Sequence, residues 1–190
     1  LLACESFVWT VAFISENMLV PFKAVMADLA KKNISGEIIT GTYLGFNSPK
    51  VFEELNKIPN LKVKIKDGPF HAKGYYFKYS NYESILVGSA NYTRSALLQN
   101  DEMMLKVTPS ENGVLFDQVR TKIAKLKEES FLFTNNWLKE YRQNWIKPKN
   151  RSLSRPKKIT PNKMQKAALK ELNNLVAEKE KRALVVSATG

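Results

Sequence analysis

Residues 7–42 read FVWTVAFISENMLVPFKAVMADLAKKNISGEIITGT. The first eight, Phe7 to Ile14, are rich in β-branched and aromatic residues and too short for a helix, which predicts a buried strand. Met18 to Lys31 carries apolar residues at Val20, Ala24, Ala27 and Leu29 with near-helical spacing, and Asn33 to Gly36 supplies a stop. Glu37 to Thr42 then reads as a second strand. Working outward, Ser48 can cap a second helix with Pro49 at its first position, expected to end near Asn56. After the turn at Pro59-Asn60, Leu61 to Ile65 alternates as a third strand. This alternation implies right-handed crossovers and predicts the α/β class, with a mixed, largely parallel sheet flanked by helices.

Beyond the turn Asp67-Gly68-Pro69, three further strands are expected at Phe70 to Tyr79, Ser84 to Val87 and Asp101 to Val107, pairing as hairpins. From Gly113 the period becomes helical: Val114, Phe116, Val119, Ile123 and Leu126 share one face, and a second helix follows from Thr134 or Asn135 to Ile146. Trp137, Tyr141 and Trp145 sit at i, i+4 and i+8 on that helix, which favours a core role over a base-stacking platform. Lys147 to Lys158 (KPKNRSLSRPKK) has one apolar side chain, Leu153, and reads as a basic linker. Pro161 to Glu180 is helical in pattern, and Ala183 to Ala188 returns to strand. The expected organisation is a domain over 1–108, a helical tail over 109–146, the linker 147–158 and a further unit over 159–190.

The 190 residues are 44% apolar, enough to fill a core and to exclude a disordered chain. With Cys4 as the only cysteine, intrachain disulfides and cysteine-rich metal cages are excluded, and a cytoplasmic location is expected. Apolar runs are too short to span a bilayer, so no membrane partner is expected. The chain opens on Leu1 rather than Met and stops inside an apolar run, so it reads as a piece of a longer protein. A formal net charge of +12 and a pI near 9.7 favour a polyanionic partner, DNA first.

The chemistry concentrates in HAKGYYFKYSNYESILVGSANYTRSALLQNDE, residues 71–102. His71, the only histidine, stands two residues before Lys73 on an expected strand, so both side chains leave the same face, with Tyr75 continuing the row. A later strand ends in Gly88-Ser89-Ala90-Asn91, and Asp101-Glu102 follow. Histidine, lysine, serine, asparagine and a carboxylate are the groups a metal-free phosphoryl-transfer site requires: nucleophile, charge clamp, oxyanion donors and an orienting base partner.

HxK followed by GSxN and a downstream glutamate resembles the HKD motif of the phospholipase D superfamily, and the resemblance extends from Phe7 to Val107. It implies that His71 attacks phosphorus to form a phosphohistidine, and that Lys73, Ser89 and Asn91 hold the nonbridging oxygens. Glu102 would hydrogen-bond the imidazole and fix its tautomer. The family's motif aspartate falls on Lys78, and the gap to the GS pair is three residues longer than the usual pattern. The chemistry also calls for a second histidine to protonate the leaving oxygen; single-motif members of the family supply it by homodimerisation, which implies a homodimer here. No metal or cofactor is expected for this domain.

Thr160-Pro161-Asn162-Lys163-Met164-Gln165 and Leu184 to Gly190 (LVVSATG) resemble the start of a superfamily 2 helicase, in which a glutamine reads adenine and a strand leads into a Walker A loop. That resemblance assigns Gln165, Thr189 and Gly190 to ATP binding, with Mg, in a longer parent of restriction or repair type. Two other readings stand beside the nuclease: a catalytically inactive phospholipase D-like module that holds DNA or a protein, and a lipid phosphodiesterase. The charge and the helicase resemblance argue against lipid.

Overall fold

In the computed structural model, which describes residues 1–108, 113–148 and 161–180, the opening stretch folds as β1 (Ser6–Val11), α1 (Leu19–Lys31), β2 (Ser35–Gly41), α2 (Pro49–Asn56) and β3 (Leu61–Lys66). β1 pairs with β2, and β2 with β3, in parallel. α1 buries Leu19, Phe22, Met26 and Leu29, whereas Val20 is 76% exposed. The face expected through Val20, Ala24 and Ala27 is therefore displaced. Burial stabilises in proportion to apolar area removed from water, so the larger side chains fix the rotation of the helix.

β4 (Lys73–Lys78), β5 (Glu83–Gly88) and β6 (Met104–Val107) follow, with the short helix α3 (Arg94–Leu98) between the last two. β4 pairs antiparallel with β1, β5 with β4 and β6 with β5. The mixed α/β class holds, but the balance of directions is corrected: among the described strands, only the β1–β2 and β2–β3 pairings are parallel. A parallel return needs a crossover of a dozen or more residues. The link 67–72 is shorter, so β4 starts at the end where β3 stops and runs back beside β1.

Residues 113–148 fall in the same unit as the rest of the sheet. α4 (Val114–Glu128) lays Phe116 and Leu126 on the sheet, β7 (Ser130–Leu132) pairs antiparallel with β3, and α5 (Asn135–Asn144) closes the unit. Among the described residues the sheet thus has seven strands, in the order β6-β5-β4-β1-β2-β3-β7. β7 escaped the sequence reading because three residues between two helical stretches leave no period to detect. One core cluster joins Phe7, Trp9 and Val11 to α1, α2 and α5; a second, around Ala12, Ile39, Phe70 and Leu126, lies with α4. β1, alternating between the two, is buried on both faces.

Trp137 and Tyr141 stack on each other at 5.1 Å, and both stand edge-on to Phe52, the core role expected of them. Trp145 departs from that series. α5 ends at Asn144, two residues before the expected Ile146, and the Trp145 indole Nε1–H donates to the Gly45 carbonyl at 2.7 Å.

Leu1–Pro148 and Lys149–Gly190 form two separate units. In the second, α6 (Lys163–Ala177) starts in a capping box: the Gln165 N–H donates to Asn162 Oδ1, and the Asn162 N–H donates to Gln165 Oε1. Most of the expected linker, the strand at 183–188, Thr189 and Gly190 lie outside the described residues.

Candidate active site

The site forms where β1 runs out beside β4. Four successive backbone N–H groups past the end of β1 each take a different partner: Ala12 donates to Ala72 O at 2.9 Å, Phe13 to Asn91 Oδ1 at 3.2 Å, Ile14 to Asn47 Oδ1 at 2.7 Å, and Ser15 to Tyr92 O at 3.1 Å. Buried backbone donors must be satisfied. Satisfying these draws the segment before β4, the loop after β5 and the loop after β2 to one point.

His71 lies just before β4, which begins at Lys73. The expected strand was three residues too long at this end, and the imidazole stands exposed at the mouth rather than inside the sheet. Its ring meets Phe13 edge-on, centroids 5.5 Å apart. The Lys73 ammonium lies 5.8 Å from the same Phe13 centroid and donates to the His71 carbonyl at 2.9 Å. Burial pushes Lys73 below its ordinary value, while the nearby Glu102 charge acts in the opposite direction. Such a lysine is poised to take an incoming anion.

Asn91 uses its carbonyl oxygen to hold the Phe13 N–H. Its amide N–H groups make no hydrogen bond among the described residues, so they remain free for an oxyanion. Ser89 donates its hydroxyl to Glu102 Oε2 and accepts from the Met103 N–H at 3.1 Å. Asn100 donates to Glu102 Oε1 at 3.3 Å. The Glu102 carboxylate is thus engaged by Ser89 and Asn100 and makes no hydrogen bond to His71, the partner expected of it. Gly88 permits this convergence: a Cβ there would stand 2.0 Å from the Met103 carbonyl oxygen. Tyr75 donates to the Ala90 carbonyl at 2.9 Å and fixes the loop from within, its phenol pushed well up by burial.

The structure therefore brings His71, Lys73 and Asn91 together around Phe13, with Ser89 and Glu102 paired on the adjoining loops. Gln165 belongs to the other unit, where its side chain caps α6. Two residues of the site were missed from sequence. Phe13 lies inside an apolar run, Phe7 to Ile14, that reads wholly as core. Asn47 is a lone asparagine in a loop, yet it is 1% exposed and its amide donates to Ala12 O, Thr40 Oγ1 and Gly41 O at 2.7 to 2.9 Å. Among the described residues, no three His, Cys, Asp or Glu side chains are grouped to hold a metal ion, and no helix is long and apolar enough to cross a membrane.

Residues 3–127 match the family model described as cardiolipin synthase, PLD-like domain. No curated protein sequence matches the chain. Among solved structures, it is similar to NucT from Helicobacter pylori, with a TM-score of 0.55 and 20% identity over 69% of this chain and 84% of that one. It is also similar to Nuc, a phospholipase D family member from Salmonella typhimurium, at a TM-score of 0.54 and 17% identity over 70% of this chain and 84% of that one. Phosphatidylserine synthase from Haemophilus influenzae Rd KW20 aligns at a TM-score of 0.51 and 14% identity, over 92% of this chain and 40% of that one. At these identities the likeness is one of fold.

Proposed function

The chain belongs to the PLD-like domain family, and from that membership we propose that it is a metal-independent phosphodiesterase that cuts DNA through a phosphohistidine intermediate. The observation that carries the reading is the exposed His71 imidazole beside Lys73, with Asn91 tied to the same Phe13. In the proposed reaction an imidazole nitrogen of His71 attacks phosphorus, and the P–N bond forms as the P–O ester bond breaks. The leaving oxygen takes a proton from a second imidazolium. Water, giving its proton to that second imidazole, then attacks phosphorus and releases His71. Lys73 and the Asn91 amide hold the nonbridging oxygens, where charge builds.

Because His71 is the only histidine, the proton donor is proposed to be the His71 of a second copy, making the working enzyme a homodimer. The charge of +12 favours a polynucleotide over a lipid as substrate. Service to an ATP-dependent helicase of restriction or repair type, with Gln165, Thr189 and Gly190 meeting ATP and Mg in the parent, rests on sequence resemblance and stays a proposal. So does a cytoplasmic location.

A second reading, a phospholipase D-like module that holds DNA without cutting it, is favoured by one observation: Glu102 is engaged by Ser89 and Asn100 rather than by the imidazole. A cleavage assay in EDTA separates the two. Cutting that persists with chelator, disappears in His71→Ala and leaves 32P on histidine supports the enzyme. DNA retention by both proteins with no cleavage supports the module.

A further inference from the structure

The loop after β2 carries three exposed apolar side chains in four positions: Tyr43 at 37%, Leu44 at 62% and Phe46 at 51%. Its backbone is strained to present them, because Leu44 sits in the left-handed region at φ 57°. That conformation is costly for a residue with a Cβ and persists only where the surroundings impose it. Here they do. The Gly45 N–H donates to Thr42 O, the Trp145 indole donates to Gly45 O, and the Tyr141 hydroxyl donates to Asn47 O at 2.6 Å. A fastened loop that holds aromatic and aliphatic surface in water is built to meet something.

What it meets is set by its neighbour. The Phe46 ring lies 4.6 Å from that of Phe13, and Phe13 is the ring that stands edge-on to His71. An aromatic surface therefore runs from the exposed Phe46 to the nucleophile. We infer that Phe46 is a stacking platform for a nucleobase adjoining the scissile phosphate, so that the preferred substrate is single-stranded DNA. The inference rests on the nuclease reading and deepens it. Every base presents a π-face, but a duplex keeps those faces stacked on one another, whereas a single strand can lay one on a protein ring. The strongly basic chain supplies the charge complement for the backbone.

The test compares an oligothymidylate, a base-free abasic oligomer of the same length and the matching duplex, cut by the wild type, Phe46→Ala and Phe46→Trp. The expected result is a wild-type KM about tenfold lower for the base-bearing single strand than for the abasic oligomer. Phe46→Ala erases that preference, Phe46→Trp keeps it, and the duplex is the poorer substrate. If the wild type cuts DNA but Phe46→Ala keeps the preference, even at reduced rate, the platform is wrong while the nuclease reading stands. Failure to cut any oligonucleotide, with headgroup release from phosphatidylglycerol vesicles, overturns both.

Discussion

The ring of Phe13 stands edge-on to that of His71, 5.5 Å between centroids and 64° between planes. The same ring lies under the Lys73 ammonium, and its backbone N–H holds Asn91. One side chain at the end of a central strand thus sets the proposed nucleophile, His71, against its proposed clamp, Lys73. Phe13→Ala removes the wall and is expected to lower kcat at least tenfold. Because Phe13 is only half-buried, the stability loss should stay near 2 kcal/mol, at or below the range for buried aromatic truncation. Single-turnover cleavage beside a urea titration separates the two effects; a collapse in stability with kcat intact would remove Phe13 from the site.

A shared site predicts a nonlinear mixing curve. When wild type and His71→Ala are refolded together in equal amounts, random pairing leaves about a quarter of dimers with two copies of His71. Activity should fall to about a quarter of the all-wild-type value rather than to half. Sedimentation should give twice the 21.7 kDa chain mass, and a fully active monomer would sink the proposal.

Lys73 gives the activity an alkaline limit. Burial holds its ammonium below the ordinary 10.5, so the clamp charge is present at lower pH and is lost as pH rises through the lowered value. The kcat/KM profile should therefore fall before pH 10.5. Lys73→Arg keeps its charge and should move this limb upward. Glu102→Gln removes the negative charge that favours the ammonium and should move it downward. Single-turnover assays keep slow variants measurable, and a limb unmoved by either change would assign it to another group.

Asn47 joins the end of β1 to the end of β2: its carbonyl accepts from the Ile14 N–H, and its two amide N–H groups are shared among Ala12 O, Thr40 Oγ1 and Gly41 O. Asn47→Ala takes this partner from the Ile14 N–H and the Gly41 carbonyl, while Thr40 Oγ1 keeps its bond to Ala12 O, at about 1 to 3 kcal/mol for each group left unpaired. The expected loss is about 3 kcal/mol, read as a fall in the urea midpoint. Asn47→Asp should be no better, since its carboxylate would face the Ala12 and Gly41 carbonyl oxygens, which cannot donate to it.

The period of the sequence was enough to place β1, α1, β2, α2 and β3 within a few residues, because buried strands and amphipathic helices leave their repeat in the chain. That His71, Lys73, Ser89, Asn91 and Glu102 belong to one proposed site was read from the resemblance of HxK and GSxN to the phospholipase D pattern, and of these the fold gathers His71, Lys73 and Asn91 about Phe13. What period cannot carry is direction and distance. Four of the six pairings among the described strands run antiparallel, and only for β4 and β5 does a short connection impose that direction; β7 is too brief to show a repeat. Phe13, Asn47 and Phe46 lie between 24 and 58 residues before His71, and nothing local distinguishes them from a core phenylalanine, a loop asparagine and a surface ring. Their roles arise only when the N–H groups beyond β1 seek partners across the sheet, and that same search leaves Glu102 bound to Ser89 and Asn100 instead of the histidine.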